Sequence, residues 1–490
     1  MSNISVIGSG FSGLSAAAFL AKEGHKVSVF EKNESIGGRA RQFNAKGYTF
    51  DMGPSWYWMA DVFEKFFAEF GKKASDYFDL IQLDPGFQII FEQEKTIKLS
   101  SDWSAVCELF ESFEKGSSKK LEEFMREAEF KYDFGINQLV YEPGLSLFEV
   151  CKPKLFANVF KLQVFTSYRN HVAKYFKNHY LKSLLEFPVL FLGTAPSQTP
   201  ALYSLMTYSG IKKGTFYPMG GFGKVIDAFK EICLEQGVEF HTNEAVNSVN
   251  IEDEKIKSIV TDIRILKTDI VVGSADYNHI ESKLLPPKYR NYNDDYWEKR
   301  TFSPSSLLFY IGVNTKLNKL IHHNLFFDED IEKHTDEIYS DPKWPNKPLF
   351  YVCCPSKTDP SVAPKGKENI FFLMPIAPGL KDNDEIREKY FDIMLRRLEK
   401  YTGQSIEEHI EYKRSYCVND FVNDYNAYKG NAYGLANTLL QTANFKPKII
   451  NKKINNLFYT GQLTVPGPGV PPSIISGQVV ANHIVESNLI

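Results

Sequence analysis

The residue types that can do chemistry crowd the first forty positions, ISVIGSGFSGLSAAAFLAKEGHKVSVFEKNESIGGRA. Gly8, Gly10 and Gly13 stand at GxGxxG spacing, and an acid, Glu31, follows about 20 residues later. Gly8 allows a tight turn, Gly10 has no Cβ to keep a pyrophosphate off the backbone, and Gly13 lets helix and strand pack closely. A helix opening here offers unpaired N–H groups and the positive end of its dipole to phosphates. Glu31 is placed to accept hydrogen bonds from ribose hydroxyls, and its charge repels a 2′-phosphate. A lone GxGxxG says little; between a strand and a helix, with a strand-end acid, it points to a bound dinucleotide.

The elements that position these groups follow from periodicity. Residues 4–7 and 26–30 are short apolar runs read as buried strands, and residues 14–22 are an alanine-rich helix that Gly24 ends. Residues 42–51 read as a hairpin or extended segment. Residues 52–58 (MGPSWYW) read as a loop, either a wall of the ligand site or a packed aromatic corner. Residues 80–99 alternate in strands about an Asp84-Pro85-Gly86 turn, and residues 102–134 are helical. Residues 217–224 (YPMGGFGK) lead into a helix over 225–234, then a strand over 237–240, a hairpin about 252–254 and a buried strand over 269–274. Strands over 305–313 and 370–375, a helix over 384–401 and a strand after 406 come next, while 346–364 reads as irregular. Near the end, 457–462 (LFYTGQ) is a strand closed by Gly461, and Ser473 is read as the cap of a helix over 473–485.

Composition bounds the rest. At 490 residues, 43% hydrophobic and 24% charged, the chain is an ordinary globular protein too long for one core. A net charge of −3 and no recognised motif argue against nucleic acid. The six cysteines have no CxxC pair and read as reduced, buried thiols; with ten histidines but no HExxH, no metal site is expected. No signal peptide and no transmembrane run of about 18 apolar residues is seen, so a cytoplasmic protein is expected. One stretch stands apart. From Cys151 to Leu185 there is no acid, and lysines and Arg169 alternate with aromatic and aliphatic residues. Residues 151–192 suit a peripheral docking segment on the inner face of a membrane, or a helical lid whose apolar face packs on its own chain.

Ile36-Gly37-Gly38-Arg39-Ala40, taken with the opening fingerprint, resembles the Gly-Gly-Arg element of the FAD-dependent amine oxidase and carotenoid desaturase superfamily. With YPMGG at 217–221 and GQLTVPGPGVPPSIISG at 461–477, the whole chain resembles the bacterial phytoene desaturase family, nearest its hydroxycarotenoid 3,4-desaturase branch. One departure is Gln462, where an acidic or small polar residue is common. The resemblance implies an α/β, Rossmann-like two-dinucleotide-binding-domain FAD fold, with a mixed-sheet substrate domain and a helical lid or membrane subdomain. Residues 1–75, 215–285 and 435–490 would form the FAD domain, 76–105 and 286–434 the substrate domain, and 106–214 the helical subdomain.

Carried over residue by residue, the resemblance assigns noncovalent FAD to Gly8, Gly10, Phe11, Ser12, Gly13, Glu31, Lys32, Gly38, Arg39, Gly53, Pro54, Ser55, Val246, Gly461, Gln462, Gly469, Val470 and Pro471. The implied reaction removes a hydride and a proton from a long carotenoid to extend its conjugation, and no catalytic acid or base is nominated. A hydroxylated end group would need a polar partner, for which His171, His179 and Tyr208 are unranked candidates. The alternatives are a phytoene-type desaturase, a flavin-dependent cis–trans isomerase, a carotenoid-binding protein without flavin, and an amine oxidase, for which Trp56, Tyr57 and Trp58 could supply an aromatic pair. Oligomeric state and the electron acceptor stay open.

Overall fold

The computed structural model describes residues 1–92, 95–146, 161–190 and 193–487. Asn3–Ile7 and Lys26–Phe30 pair in parallel, with Ile7 opposite Phe30. They belong to a five-stranded parallel sheet ordered Leu457–Tyr459, Ile270–Gly273, Asn3–Ile7, Lys26–Phe30, Glu239–His241. Parallel strands are covered on both faces, which is why these segments read as continuous apolar runs. The connecting helix, Phe11–Lys22, is buried through Ala21, and its small side chains let helices Phe222–Glu235 and Val470–Glu486 lie against it. A Cβ on Gly477 would stand 2.4 Å from the Ser12 carbonyl oxygen, so the first and last helices meet at backbone distance. An antiparallel three-stranded sheet, Val246–Glu252, Lys255–Thr261 and Ile265–Lys267, is inserted before Ile270–Gly273.

The second large sheet has seven strands, ordered Ile410–Tyr416, Ser305–Val313, Glu368–Ile376, Phe350–Cys353, His323–Phe326, Phe87–Ile90, Thr96–Leu99. Among the described residues its only parallel pairing joins His323–Phe326 to Phe87–Ile90. One face packs through Phe309 and Phe372 on helix Asp384–Thr402. The other, carrying Leu308, Tyr310, Phe371 and Tyr351, joins the large core shared with the first sheet. Helices Trp103–Phe113, Ser117–Phe134, Tyr168–Tyr175 and His179–Leu190 form a further cluster. Asp102 and Ser167 cap two of them by accepting from Ser104 N and Asn170 N.

Four readings of the sequence need correction. Leu80–Gln82 pairs with Phe216–Pro218 and not with the seven-stranded sheet, because the chain turns at 84–86 before Phe87 enters it. The stretch read as irregular contains the strand Phe350–Cys353, a fully buried run too short to show a period. The last helix opens at Val470 after Gly469, whose φ is 114°, so Ser473 is not its cap; Pro471 and Pro472 lie in the first turn, where N–H groups have no helical partner to lose. Cys107 is only half-buried, unlike Cys233, Cys353, Cys354 and Cys417; all five are free thiols.

No described helix is long and apolar enough to cross a membrane. Within the basic, aromatic stretch, residues 151–160 and 191–192 lie outside the described residues. In the described part Leu162, Tyr168, Val172, Phe176, Leu181 and Leu185 are buried in the protein's own core, while Phe165 is 79% exposed.

Candidate active site

A cavity of about 620 Å³ lies where the two large sheets meet, within the range of roughly 300–1,000 Å³ usual for ligand sites. The first turn of helix Phe11–Lys22 and that of helix Val470–Glu486 both open on it, through Gly10, Phe11 and Ser12 and through Gly469, Val470 and Ser473. Their N–H groups have no intrahelical acceptor and point positive dipole ends at the same space. Gly8 holds a φ of 101°, which a side chain would strain. A Cβ on Gly10 would meet nothing within 4 Å, whereas one on Gly13 would stand 2.2 Å from the Gly8 carbonyl oxygen. Gly10 therefore leaves room on the cavity side, and Gly13 serves the packing behind the turn.

Glu31 borders the cavity and is held by its neighbours. One carboxylate oxygen accepts from Ser9 Oγ at 2.6 Å and Ser9 N at 3.2 Å, the other from Asn33 N and Nδ2 at 2.9 and 2.8 Å. Lys32 also lines the space, with Nζ donating to the Asn423 carbonyl and to Asn426 Oδ1. Burial pushes its amine below the ordinary lysine value.

Gly37, Gly38 and Arg39 form the adjoining rim, with Gly37 N donating to the Ser9 carbonyl at 3.0 Å. The Arg39 guanidinium faces the Tyr425 ring at 5.0 Å, and Arg41 faces the same ring at 5.2 Å while pairing with Asp424 at 2.6 Å. Arg39 Nη2 donates to the Asn431 carbonyl at 3.3 Å, and its Nε has no partner among the described residues. Burial lowers the Arg39 pKa, which the Asp276 carboxylate opposes; burial raises Asp276 in turn. Gln462, with its amide oxygen turned toward Arg39, accepts from Nη2 at 3.1 Å and donates to the Ala432 carbonyl at 3.3 Å. The departure at position 462 thus ties the terminal segment to the Gly-Gly-Arg rim.

Met52, Gly53 and Pro54, Val246, Gly461 and Gln462 complete the lining on this side, Ser306, Leu308, Phe371 and Leu373 form the wall given by the seven-stranded sheet, and Tyr433 from the loop after it joins them. Three residues named from sequence stand elsewhere. Gly13 and Pro471 sit behind the lining, and Ser55 turns away to share a 3.0 Å hydrogen bond with the Tyr351 hydroxyl. Trp56, Tyr57 and Trp58 form a packed corner: Trp56 stacks on His323 at 4.0 Å and Tyr57 on Phe63 at 4.2 Å. His171 packs on Phe124 and Tyr175, His179 on Tyr180, and the Tyr208 hydroxyl donates to Glu129; none of the three lines the cavity.

His322, His323 and Cys353 are buried with donor atoms within 4.8 Å of one another, a grouping the sequence did not suggest. Burial pushes His322 down to about 3 and the Cys353 thiol up to about 12, so the thiol stays protonated at neutral pH. His323 Nδ1 is already held by the Tyr351 hydroxyl at 2.6 Å. A neutral thiol and an engaged imidazole make a poor cation site.

The residues fit a dinucleotide on three counts: open space at Gly10, an unpartnered Arg39 Nε at the rim, and two helix starts converging on one volume. An R39Q variant is expected to lose most bound cofactor and to unfold at lower denaturant, since Asp276 then keeps a buried charge uncompensated. Flavin absorbance after gel filtration checks the first effect, and a urea titration the second.

A family model described as flavin containing amine oxidoreductase matches residues 11–485. The chain is 41% identical over 485 residues to a carotenoid 3,4-desaturase of Haloarcula japonica, covering 99% of this chain and 98% of that one. It is 29% identical over 490 residues to a zeta-carotene-forming phytoene desaturase of Myxococcus xanthus, covering 98% and 93%. Among solved structures, an oxidoreductase from Methanosarcina mazei matches at a TM-score of 0.66 and 16% identity, over 98% of this chain and 100% of that one. A putrescine oxidase with bound putrescine matches at 0.63 and 14%, over 99% of each chain. At such identities the structures speak for the fold alone.

Proposed function

Since the chain belongs to the flavin-containing amine oxidoreductase family, and within it to the carotenoid desaturases, we propose that this FAD oxidoreductase desaturates a 1-hydroxylated carotenoid at its 3,4 carbons. The observation that carries the reading is the 620 Å³ cavity, phosphate-suited at one end and walled by an apolar sheet face at the other. We assign the diphosphate of FAD to the first turn of Phe11–Lys22 and to Arg39, the adenosine ribose to Glu31, and the adenine to the Val246 backbone. The flavin ring is assigned to the space between Gly53–Pro54 and Gly461–Val470. When bound, FAD accepts the hydride that leaves one substrate carbon, while the neighbouring carbon gives up a proton and a C=C bond forms.

The protein's own contribution is position and dryness. Leu308, Phe371 and Leu373 present apolar surface to a polyene and keep water from the reacting carbons. Neither carbon is acidic, so orientation weighs more than a strong base. The carboxylates bordering the cavity are already engaged: Glu31 by Ser9 and Asn33, Asp424 by Arg41, and Asp276 by the backbone N–H groups of His279 and Tyr428.

A carotenoid is about as long as a bilayer is thick, roughly 30 Å, and must come from one. We propose peripheral attachment through residues 151–192, as named from the sequence. Supporting it, Phe165 is 79% exposed, and the segment joined to this region by the Tyr203–Thr442 hydrogen bond exposes Leu440 (69%) and Phe445 (50%).

The test is incubation of FAD-loaded protein in liposomes of mixed neutral and anionic lipid with 1-hydroxylated carotenoid, its deoxy analogue and phytoene. Loss of two hydrogens with a red shift on the hydroxylated substrate is expected, and the protein should float with the vesicles. Reaction of phytoene alone would overturn the branch, unchanged mass with altered retention would indicate an isomerase, and protein that stays at the bottom of the gradient would overturn the attachment.

A further inference from the structure

The seven-stranded sheet carries one row of side chains from the cavity wall into a buried polar chain. Leu373 lines the cavity, and Tyr351 is its partner on the next strand; Phe371 also lines it, and its partner is Cys353, which in turn pairs with His323. Alternate residues share a face, so Tyr351, Cys353 and His323 continue the surface that Leu373 and Phe371 begin. Here the Tyr351 hydroxyl bonds Ser55 Oγ at 3.0 Å and His323 Nδ1 at 2.6 Å. Ser55 directly follows Pro54, which borders the cavity. Trp56 stacks flat on the imidazole, at 4.0 Å and 10°, and fixes its plane.

His323 is fully buried, and its Nε2 has no hydrogen-bond partner among the described residues. Burial holds the ring neutral, so one nitrogen donates and the other accepts. When Tyr351 donates to Nδ1, Nε2 carries the hydrogen. An unpaired N–H in such a place is an unmet demand for a neutral acceptor, which the oxygen of an alcohol supplies. His322 contacts Thr358 through Nδ1 and, with Ser55 and Cys353, borders a separate cavity of about 20 Å³, room for a single water.

We propose that the Ser55–Tyr351–His323 chain is the end-group site of this enzyme, holding the substrate hydroxyl so that the adjacent carbons lie over the reacting end of the cavity. The inference rests on the 3,4-desaturase reading. Carbon–carbon bonds of about 1.5 Å put a C1 hydroxyl only a few ångströms from C3, so its partner has to stand beside the reacting carbons and not at the far end of the chain. The polar chain begins one residue from the cavity lining, which meets that requirement.

The measurement is the preference for hydroxylated over deoxy carotenoid, taken as a ratio of kcat/KM values in liposomes, for wild type, H323F, Y351F and S55A. Flavin content is measured for each to show that it folds, and the Kd of the hydroxylated product is obtained by titrating its visible absorbance. The preference is expected to fall at least tenfold in H323F and Y351F, with product Kd rising in step. A structural role alone would slow both substrates together and leave the ratio unmoved, which would overturn the site. Y351F removes one oxygen atom, so it carries the test if H323F fails to keep flavin. A wild type with no preference for the hydroxyl refutes the 3,4 reading itself; a wild type that prefers it, with variants that keep the preference, refutes only this site.

Discussion

A G13A variant is expected to come out of purification without flavin. The added Cβ would stand 2.2 Å from the Gly8 carbonyl oxygen and 2.9 Å from Ser274 Oγ. The first of these is backbone, in a turn whose own residue is held at a φ of 101° and whose Cβ position meets Ala275 N at 3.0 Å. Nothing flexible can give way, so the turn itself must open, at more than the roughly 1–3 kcal/mol of ordinary core overpacking. Opening it pulls Gly8 and Gly10 from the start of helix Phe11–Lys22, where we place the diphosphate. Gly10 gives the contrast. Its φ is −71°, which alanine adopts freely, and its Cβ would meet nothing within 4 Å. G10A is expected to fold with a flavin-free melting temperature near that of wild type, yet to bind FAD at least about tenfold more weakly, a loss of about 1.4 kcal/mol. Flavin retention, FAD titration and thermal melting of the apoproteins separate the two. G13A with full flavin at wild-type stability would show that the turn tolerates a side chain; G10A with unchanged affinity would show that no ligand approaches there.

These glycines were legible because their logic is local. A tight turn, a close approach and a helix start each need a residue type within a few positions of the others, and Gly8, Gly10 and Glu31, with Gly38 of the Gly-Gly-Arg element, all border the cavity. The middle of the seven-stranded sheet was not legible. His323–Phe326 reads HNLF, and its polar half argues against a buried strand. It is buried because distant residues satisfy it: Asn324 Oδ1 accepts from Gln88 Nε2 at 2.6 Å, and its Nδ2 donates to the Ile321 and Val352 carbonyls. Partners 236 and 28 residues away leave no local trace. Ser55 shows the same limit. Its neighbours Gly53 and Pro54 border the cavity, yet its hydroxyl turns to Tyr351, 296 residues on. The basic, aromatic stretch was open to two readings for another reason, since composition cannot say which side of a helix faces inward. Val172, Phe176 and Leu181 proved to be core.

The largest stability change is expected at a residue that neither the spacing nor the family motifs single out. Lys446 is buried beside the loop at Gly467, and its Nζ has no partner among the described residues; nearby Asn437 Oδ1 is likewise unpaired. Burial pushes the amine down to about 7, against about 10.4 for a lysine in an unfolded chain. Below pH 7 the amine is charged in both states, and the cost of burying that charge is felt in full. Between pH 7 and about 10 the unfolded chain holds a proton that the folded protein has released, so the free energy of unfolding rises with pH by about 1.4 kcal/mol per unit from this group. Above that range the amine is neutral in both states and the penalty is gone. Methionine keeps the length of the side chain without the charge. K446M should therefore be more stable than wild type by about 4 kcal/mol at pH 7, with the gap closing as the pH approaches 10. Urea titrations of both proteins at intervals from pH 6 to 10 measure it. Parallel curves with no convergence would mean that the amine is not held neutral, and that a partner reaches Nζ in the folded protein.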